Sequence, residues 1–450
     1  MPQHYKVKCQ FCGIKFDDDG FILDCPAQHP ETALLMTEYS ALMFEPNCSE
    51  HGISRYHNWL PIRHHLYSAG RTVTYQSQKL SQRLGLPNLW IAFNGYCPEK
   101  GAMLVTSTFK ELEAYTVVSR LGAQHTKTLV VASAGNTAAA FASVCSHNKV
   151  PCLIIVPESG LHRLKFTRST RSVEEASGWT GMPAGDPQAT SLRTLTSLDP
   201  VVKIVSLVGA DYDDAIKLAT SISQLDGFFQ EGGVKNIGRR DGMGTTMLSA
   251  VETIGQLPDY YFQAIGSGAG AIAVHEAAKR LIADGRFGQK LPQLMLSQNF
   301  PFIPIYHAWK SQQRQLQSID ISKQQVKQIV ADVLSNQRPP YAVIGGVFDV
   351  LKESQGDMFF ANNQETLQAI DLFQETEGIA LDPAAGVALA TLIKASKYEL
   401  IDCEAHILLH ITGGRCHNSN QQLYLIQPSL QLTQQELFTQ KTLEKVLALF

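Results

Sequence analysis

The sequence predicts an α/β protein of two α/β subdomains with parallel-rich sheets, preceded by a small ribbon-like segment. Short apolar runs alternate with longer helical patterns, which favours parallel strands joined by right-handed crossovers. The chain has 450 residues, 44% of them hydrophobic, which is enough for a sizeable core. Three of the nine cysteines lie within the first 25 residues and mark the ribbon-like segment.

The first segment, residues 1–55, is dense in cysteine, histidine and short turns. We expect brief strands at residues 5–8 and 20–23. Cys9, Cys12, Cys25 and His29 have a spacing at which thiolates and an imidazole can hold zinc tetrahedrally. The second pair is not C-x-x-C, so Cys48 and His51 are alternative ligands, and a ribbon without metal is an equal alternative.

In the central and carboxy-terminal regions, short apolar runs end at glycine, proline or polar turns, which predicts buried strands. These strands are expected at residues 128–132, 151–156, 203–208, 260–265 and 405–411. The long polar stretch between residues 157 and 200 is expected to be a mobile flap or an insertion. Cys97, Cys145, Cys152 and Cys416 are scattered, and we expect them to be buried or incidental.

The balance of charge excludes several classes of protein. The chain has 38 basic and 41 acidic residues, so nucleic acid is not expected as a partner. No apolar run reaches the roughly 18 residues needed to cross a bilayer, and the first residues lack the apolar centre of a secretory signal. The expectation is a cytoplasmic protein with no membrane partner.

A glycine loop, Gly266-Ser267-Gly268-Ala269-Gly270, follows a predicted strand and precedes a helical pattern. Backbone N–H groups at a helix start bind phosphate, and glycines allow close approach. The spacing is not the G-x-G-x-x-G of dinucleotide folds, which disfavours a dinucleotide-binding oxidoreductase. A single phosphate anchor is favoured, with a simple tight turn as the alternative.

Two further motifs stand at helix starts. Lys110 begins a helical pattern, where the dipole disfavours its charge and lowers its pKa, as suits a nucleophile or base; the alternative is a solvated lysine. The string from Ser133 to Thr137, with Asn136, could bind a carboxylate and a phenolic oxygen, or could serve only as a helix cap.

The order of these motifs, with Thr412 after the last strand, resembles the fold type II pyridoxal-phosphate (PLP) enzymes, which are tryptophan synthase β-like, and in particular their threonine-synthase-like branch. Residues 209–215 and 381–388 also fit this resemblance. It implies a catalytic region over residues 56–450, with a smaller mobile subdomain at about 111–225 and a larger one from the remainder.

The resemblance also implies roles for individual residues. Lys110 would bind PLP covalently and act as general base, and Asn136 would bond the ring hydroxyl oxygen. Thr412 would face the pyridine nitrogen. The cofactor phosphate would be cradled by Gly266, Ser267, Gly268, Ala269 and Gly270. The substrate carboxylate would lie near Thr108, Ser133 and Thr137.

Within the branch, residues 92–96, 109–114 and 231–245 most resemble sulfonate-forming members. The implied activity is a β-replacement that converts O-phospho-L-serine and sulfite into L-cysteate and phosphate, in a homodimer or higher homo-oligomer. Both phosphate and sulfite are anions, for which Lys235, Arg239 and Arg240 are the candidate cations. The alternative for Arg239 and Arg240 is a surface pair that binds nothing.

Two other activities stay open at this stage. A threonine synthase would act on O-phosphohomoserine and water, but threonine synthases usually carry aspartate and arginine directly after the lysine. This chain has Glu111 and Leu112 there. A non-catalytic relative that senses an amino acid is the other alternative, and the joint presence of Lys110, Asn136 and Thr412 argues against it.

Overall fold

The computed structural model describes residues 3–66, 69–122, 125–167, 198–317, 323–416 and 423–450. The chain divides into a larger unit of residues 1–126 and 229–419 and a smaller unit of residues 127–228 and 420–450. The boundaries of 111–225 for a smaller subdomain, and its mobility, stay predictions.

The amino-terminal segment of the larger unit forms an antiparallel three-stranded sheet. Its central strand β1 (Tyr5–Cys9) lies between β2 (Lys15–Phe16) and β3 (Leu35–Tyr39). The strand predicted at residues 5–8 is therefore confirmed, whereas the one at 20–23 is wrong. The N–H groups of Phe21 and Ile22 donate to the Asp19 carboxylate at 2.7 and 2.8 Å, so a local turn replaces a ladder.

A six-stranded sheet lies at the centre of the larger unit. It has the order β15-β14-β13-β17-β5-β4, in which only β4 runs antiparallel to its neighbour. Its strands are β4 (Val73–Gln76), β5 (Leu89–Phe93), β13 (Tyr260–Ala264), β14 (Gln293–Asn299), β15 (Asp357–Ala361) and β17 (Ile407–Ile411). The strands predicted at 260–265 and 405–411 correspond to β13 and β17.

A smaller sheet of the same unit has the order β16-β18-β6-β7. It consists of β6 (Tyr96–Cys97), β7 (Ala102–Met103), β16 (Ile379–Leu381) and β18 (Gly414–Cys416). Cys97 and Cys416 form a disulfide across the neighbouring strands β6 and β18. These two cysteines are therefore not incidental, and a separation of 319 positions explains why the sequence gives no sign of the pairing.

Nine α-helices of the larger unit's described residues surround these sheets. They are α1 (Lys79–Leu84), α2 (Lys110–Arg120), α5 (Ile237–Ile254), α6 (Ala269–Asp284), α7 (Pro304–Lys310), α8 (Lys323–Val326), α9 (Val347–Glu353), α10 (Asn363–Glu377) and α11 (Pro383–Lys397). Helix α5 packs against both α2 and α6. It is buried along most of its length and carries Gly242 and Gly244 where α2 and α6 approach closely.

The smaller unit contains a sheet with the order β12-β8-β9-β11-β20, whose strands from β8 to β20 are parallel. These strands are β8 (Thr128–Ala132), β9 (Cys152–Pro157), β11 (Val202–Val208), β12 (Phe228–Gln230, where the chain returns to the larger unit) and β20 (Leu430–Thr433). Its helices are α3 (Asn136–Asn148), α4 (Tyr212–Ile222) and α12 (Gln440–Leu447). The strands predicted at 128–132, 151–156 and 203–208 are confirmed as β8, β9 and β11.

The long polar stretch at residues 157–200 is only partly described. A 3-10 helix, Glu158–Arg163, is followed by β10 (Lys165–Thr167), which pairs with β19 (Leu423–Leu425). Residues 168–197 lie outside the described residues. Among the helices that the structure describes, none combines the length and the apolar character that a membrane span requires.

Candidate active site

Lys110 is the first residue of α2, and its side chain is largely buried. Burial lowers the pKa of its amine and so does the nearby Arg239, while Glu113 opposes them; the balance lies below the ordinary lysine value. Its Nζ lies 4.7 Å from the centre of the Phe109 ring. A buried amine with a lowered pKa is suited to act as a nucleophile or a base.

The segment around Thr412 lies beside the start of α2. The Phe109 N–H donates to the Thr412 carbonyl at 3.0 Å, and Thr108 forms an antiparallel bridge with Gly413. Thr108 and Thr412 are buried, and Thr108 Oγ1 has no hydrogen-bond partner among the described residues. The structure therefore brings Lys110, Thr108 and Thr412 together, and it leaves a buried hydroxyl that a ligand could satisfy.

The glycine loop lies against the residue before Lys110. A Cβ on Gly270 would be 3.1 Å from Phe109 Cε2 and 2.5 Å from Gln263 Nε2, and a Cβ on Gly268 would be 2.2 Å from Val347 Cγ2. Gly268 also has φ of +79° and precedes α6, whose first N–H groups have no acceptor within the helix itself. Glycine is thus required here, and the loop has the form of a phosphate cradle.

A buried histidine, His410, lies against Phe109 at the start of α2. His410 on β17 contacts Asn94 Nδ2 at 2.7 Å through Nε2 and Tyr261 Oη at 2.6 Å through Nδ1. Its ring meets the Phe109 ring edge to face at 5.3 Å. Burial lowers the pKa of His410 to about 3, so the ring is uncharged at neutral pH. This agrees with a packing role.

A row of four ionisable groups begins at Lys110, which is 19% exposed, and the other three groups are buried. Lys110 Nζ is 3.1 Å from Glu113 Oε2, and Glu113 Oε1 is 3.1 Å from Arg239 Nη1. Arg239 also donates to both oxygens of Glu231, at 2.7 and 2.6 Å. Two cations and two carboxylates thus form a continuous row inside the larger unit.

The other predicted cations also contact carboxylates of the protein. Arg240 donates to Glu276 at 3.0 Å and to two backbone carbonyls, and Lys235 donates to Asp24 at 2.7 Å. Arg239 and Arg240 are buried, so the alternative of a surface pair is wrong. Their assignment to an anionic substrate stays a prediction, and these ion pairs give each cation a structural partner.

The motif from Ser133 to Thr137 lies at the start of α3 in the smaller unit. The Ser133 hydroxyl accepts from the N–H groups of Gly135 and Ala138 at 3.0 and 2.9 Å, which is the capping role that the sequence left open. Asn136 Oδ1 accepts from Arg163 at 3.3 Å, and Thr137 is buried. Their roles toward a cofactor or substrate stay predictions.

The amino-terminal cluster comes together as predicted from its spacing. Cys9, Cys12, Cys25 and His29 place one ligand atom each within 4.8 Å of the others. Cys9 Sγ is 3.2 Å from His29 Nε2, and Cys12 Sγ is 3.7 Å from Cys25 Sγ. The alternative ligand Cys48 instead contacts the Pro46 carbonyl at 3.8 Å.

Sequence reasoning missed Glu113, Glu231 and Arg415. The spacing of Lys110 and Glu113 by three positions was the one available signal, because such pairs share a helix face. Arg415 donates to the Ser107 hydroxyl at 3.1 and 2.7 Å, and Ser107 has φ of +60°, which is unusual for a residue other than glycine. This contact spans 308 positions, so no local pattern announces it.

Comparison with known proteins gives a family and close relatives. The profile of the family described as pyridoxal-phosphate dependent enzyme matches residues 66–413. A cysteate synthase of Methanocorpusculum labreanum is 43% identical over 413 residues, which cover 91% of this chain and 92% of the relative. A cysteate synthase of Methanosarcina barkeri is 41% identical over 431 residues, covering 94% and 96% of the two chains.

Solved structures show the same fold at low identity. Threonine deaminase isoform 2 of Solanum lycopersicum, in its processed form, aligns with a TM-score of 0.54 at 17% identity, covering 77% of this chain and 85% of that one. Serine racemase of Dictyostelium discoideum aligns with a TM-score of 0.51 at 15% identity, covering 76% and 91%.

Proposed function

The chain belongs to the pyridoxal-phosphate-dependent enzymes and, within them, to the cysteate synthases, and on this premise we propose that it makes L-cysteate and phosphate from O-phospho-L-serine and sulfite. The predicted fold type II class is confirmed by the family and by the solved structures that share its fold. The observation that carries the proposal is the largely buried Lys110 side chain, whose preceding residue Phe109 donates to the Thr412 carbonyl and lies against the glycine loop within one unit.

The residues of the larger unit fit the cofactor of this family. We propose that Lys110 binds PLP covalently and that residues 266–270 hold its phosphate at the start of α6, where side chains would collide. Thr412 is proposed to face the pyridine nitrogen with a neutral hydroxyl. When bound, PLP supplies a conjugated system that accepts the electrons left behind when the substrate loses its α-proton.

Lys110 then has a second task as general base. Burial lowers the pKa of this amine and so favours its neutral form, which can take the α-proton of O-phosphoserine and later return it. In the net reaction the bond between Cβ and the phosphate oxygen breaks, and the phosphate leaves with the electron pair. A lone pair on the sulfur of sulfite forms the new Cβ–S bond. The predicted contacts of Thr108, Ser133 and Thr137 with the substrate carboxylate, and of Asn136 with the ring oxygen, belong to the same proposal.

One assay separates this activity from threonine synthesis. Purified protein loaded with PLP receives O-phosphoserine with sulfite in one tube and O-phosphohomoserine alone in another. Cysteate and phosphate in the first tube support the proposal, whereas threonine in the second tube alone would overturn it. Product in neither tube, from protein that binds PLP, would favour a non-catalytic relative.

We further propose that Cys9, Cys12, Cys25 and His29 hold a structural zinc ion. A tetrahedral ion with Zn–S of about 2.3 Å and Zn–N of about 2.0 Å places sulfur and nitrogen about 3.5 Å apart and two sulfurs about 3.8 Å apart. The observed separations of 3.2 Å (Cys9 to His29) and 3.7 Å (Cys12 to Cys25) are close to these values. His29 Nδ1 lies 2.7 Å from the Glu31 carbonyl, which orients the ring so that Nε2 faces the thiols. Four protein ligands leave no open position, which is typical of structural sites.

Metal analysis tests the zinc proposal. Protein purified without chelator is expected to contain about one zinc ion per chain, and the Cys12→Ser variant is expected to lose it. Cys403→Ser is the matched control, because Cys403 is also an exposed free cysteine but lies outside the cluster. Equal zinc content in all three proteins, or none in the wild type, would contradict the proposal.

The assembly and location of the enzyme are proposals of the same kind. A homodimer or higher homo-oligomer is expected, and light scattering of the purified protein would contradict this if it gave the mass of one chain. A cytoplasmic location would be tested by cell fractionation. The resemblance points to coenzyme M biosynthesis as the pathway for the sulfonate product, which a deletion strain rescued by added cysteate would support.

A further inference from the structure

The two carboxylate oxygens of Glu113 have different partners. Oε2 lies 3.1 Å from the Lys110 amine, and Oε1 lies 3.1 Å from the guanidinium of Arg239. The carboxylate itself is fully buried. A carboxylate with one cationic partner on each oxygen keeps a partner when either cation is withdrawn.

This arrangement matters because the Lys110 amine changes its bonding during the proposed reaction. If Lys110 were the only cation near Glu113, a buried charge would lose its partner whenever the amine was engaged elsewhere, and removing one partner of a buried ion pair is strongly destabilising. Arg239 prevents this. Arg239 is itself held in place by two hydrogen bonds to Glu231, so it stays beside Glu113 when the Lys110 amine moves away.

The charge balance of the row also favours proton acceptance at Lys110. With Lys110 protonated, the two cations and two carboxylates sum to zero. With the amine neutral, Glu113, Arg239 and Glu231 leave one net negative charge in a buried region. The field of Glu113 therefore raises the pKa of the amine that burial has lowered, and it draws a proton toward that nitrogen.

We propose that Glu113 is a positioning residue for Lys110: it accepts the amine as a hydrogen-bond donor once the amine is free of the cofactor, and its charge stabilises the proton that the amine takes up, while Arg239, held by Glu231, stays beside Glu113 throughout. In this proposal Arg239 supports the ion pair between Glu113 and Lys110 and does not bind the anionic substrate. The inference rests on the proposed function in one respect, since it takes Lys110 as the lysine that binds PLP.

The pH dependence of the visible absorption of PLP-loaded protein tests the inference. The absorption reports the proton on the nitrogen that joins Lys110 to the cofactor. In Glu113→Gln we expect the transition to move to lower pH by about 1–3 units, the usual effect of an opposite charge at this distance. In Glu113→Asp, which keeps the charge but draws it back by one methylene, the shift should have the same sign and be smaller.

Glu276→Gln is the matched control. Glu276 is another buried carboxylate that pairs with an arginine of α5, since it lies 3.0 Å from Arg240, but it contacts Arg240 and Gln10 and not Lys110. A merely structural ion pair would lower stability in both variants and leave the transition where it is. An unmoved transition in Glu113→Gln overturns the inference; if that variant does not fold, an unmoved transition in Glu113→Asp does so.

The outcomes also separate the inference from the proposed function. A wild-type protein that stays colourless with PLP removes the basis of both. If the wild-type protein is coloured and makes cysteate, but its absorption transition lies at the same pH in the wild type and in the Glu113 variants, only the role of Glu113 is overturned.

Discussion

The two ends of α2 each carry a cation paired with a buried carboxylate, yet the surroundings of the two cations differ. At the first residue, Lys110 has a lowered pKa and one carboxylate oxygen within 3.1 Å. At the last residue, Arg120 is fully buried and donates to both oxygens of Asp18 at 2.9 and 2.7 Å and to Asn236 Oδ1 at 2.9 Å. The first cation can give up its proton, whereas a guanidinium in a protein cannot.

The anions at the two ends differ in the same way. Burial raises the pKa of Asp18, but the hydrogen bonds and charge of Arg120 outweigh it, so the pKa of this carboxyl stays below its usual value. Glu113 shares its charge between a lysine and an arginine. The comparison indicates that one helix end is arranged for chemistry and the other for holding the fold, and substitutions can separate the two.

The largest effect is expected at the chemical end. Lys110→Ala should lose cysteate formation by at least about 10⁴-fold, since it removes both the covalent link and the general base. The visible absorption of lysine-bound PLP should disappear while the thermal unfolding transition remains cooperative. Lys110→Arg is the control: it keeps a cation opposite Glu113 and should be equally inactive. Activity within about tenfold of wild type in either variant would contradict the role of Lys110.

The next effect is expected at the structural end. Arg120→Met should lower the free energy of unfolding by about 3–5 kcal/mol, because the buried Asp18 loses the guanidinium that contacts both its oxygens and keeps only the more distant Arg63, at 3.6 Å. The specific activity of the molecules that remain folded should be close to wild type. Urea unfolding followed by circular dichroism measures the loss. The double variant with Asp18→Asn should lose less than the sum of the single variants, and strict additivity would show that the pair is not coupled.

A smaller effect concerns His410, beneath the chemical end. Its folded-state pKa of about 3 lies below the unfolded value near 6.5, so the unfolded chain binds a proton that the folded chain excludes. The contribution of His410 to the free energy of unfolding is therefore complete above pH 6.5 and is lost as the pH drops toward 3. Between pH 7 and pH 5, this one group should lower the free energy of unfolding by about 2 kcal/mol. In His410→Gln that part of the pH dependence should be missing; identical pH profiles in urea titrations would refute the assignment.

Much of the fold could be predicted because buried parallel strands are short continuous apolar runs. The strand at residues 128–132 has the bounds of β8, and that at 151–156 differs from β9 by one residue at each end. The predicted strand at 20–23 is wrong because a short apolar run does not reveal the turn that Asp19 makes with the following N–H groups.

The candidate site was predictable where its residues form local motifs, as at Lys110 and the glycine loop. Their adjacency to Thr412 followed only from the resemblance to a family, since no spacing in a single sequence reports a contact across 300 positions. Arg239 shows the limit from the other side. Its residue type and position suggested an anionic substrate, but Glu113 and Glu231 already lie within hydrogen-bond distance of it.

The amino-terminal sheet has a consequence for any attempt to shorten the protein. The family profile begins at residue 66, yet Asp18 neutralises Arg120, and the hydroxyls of Thr37 and Tyr39 donate to the buried Asp241 of α5 at 2.5 and 2.7 Å. A truncated chain that started at the shared region would leave Arg120 of α2 without Asp18, and Asp241 of α5 without two of its hydrogen-bond donors. The first forty residues therefore stabilise helices α2 and α5, and a shortened enzyme would need substitutions that replace their contacts.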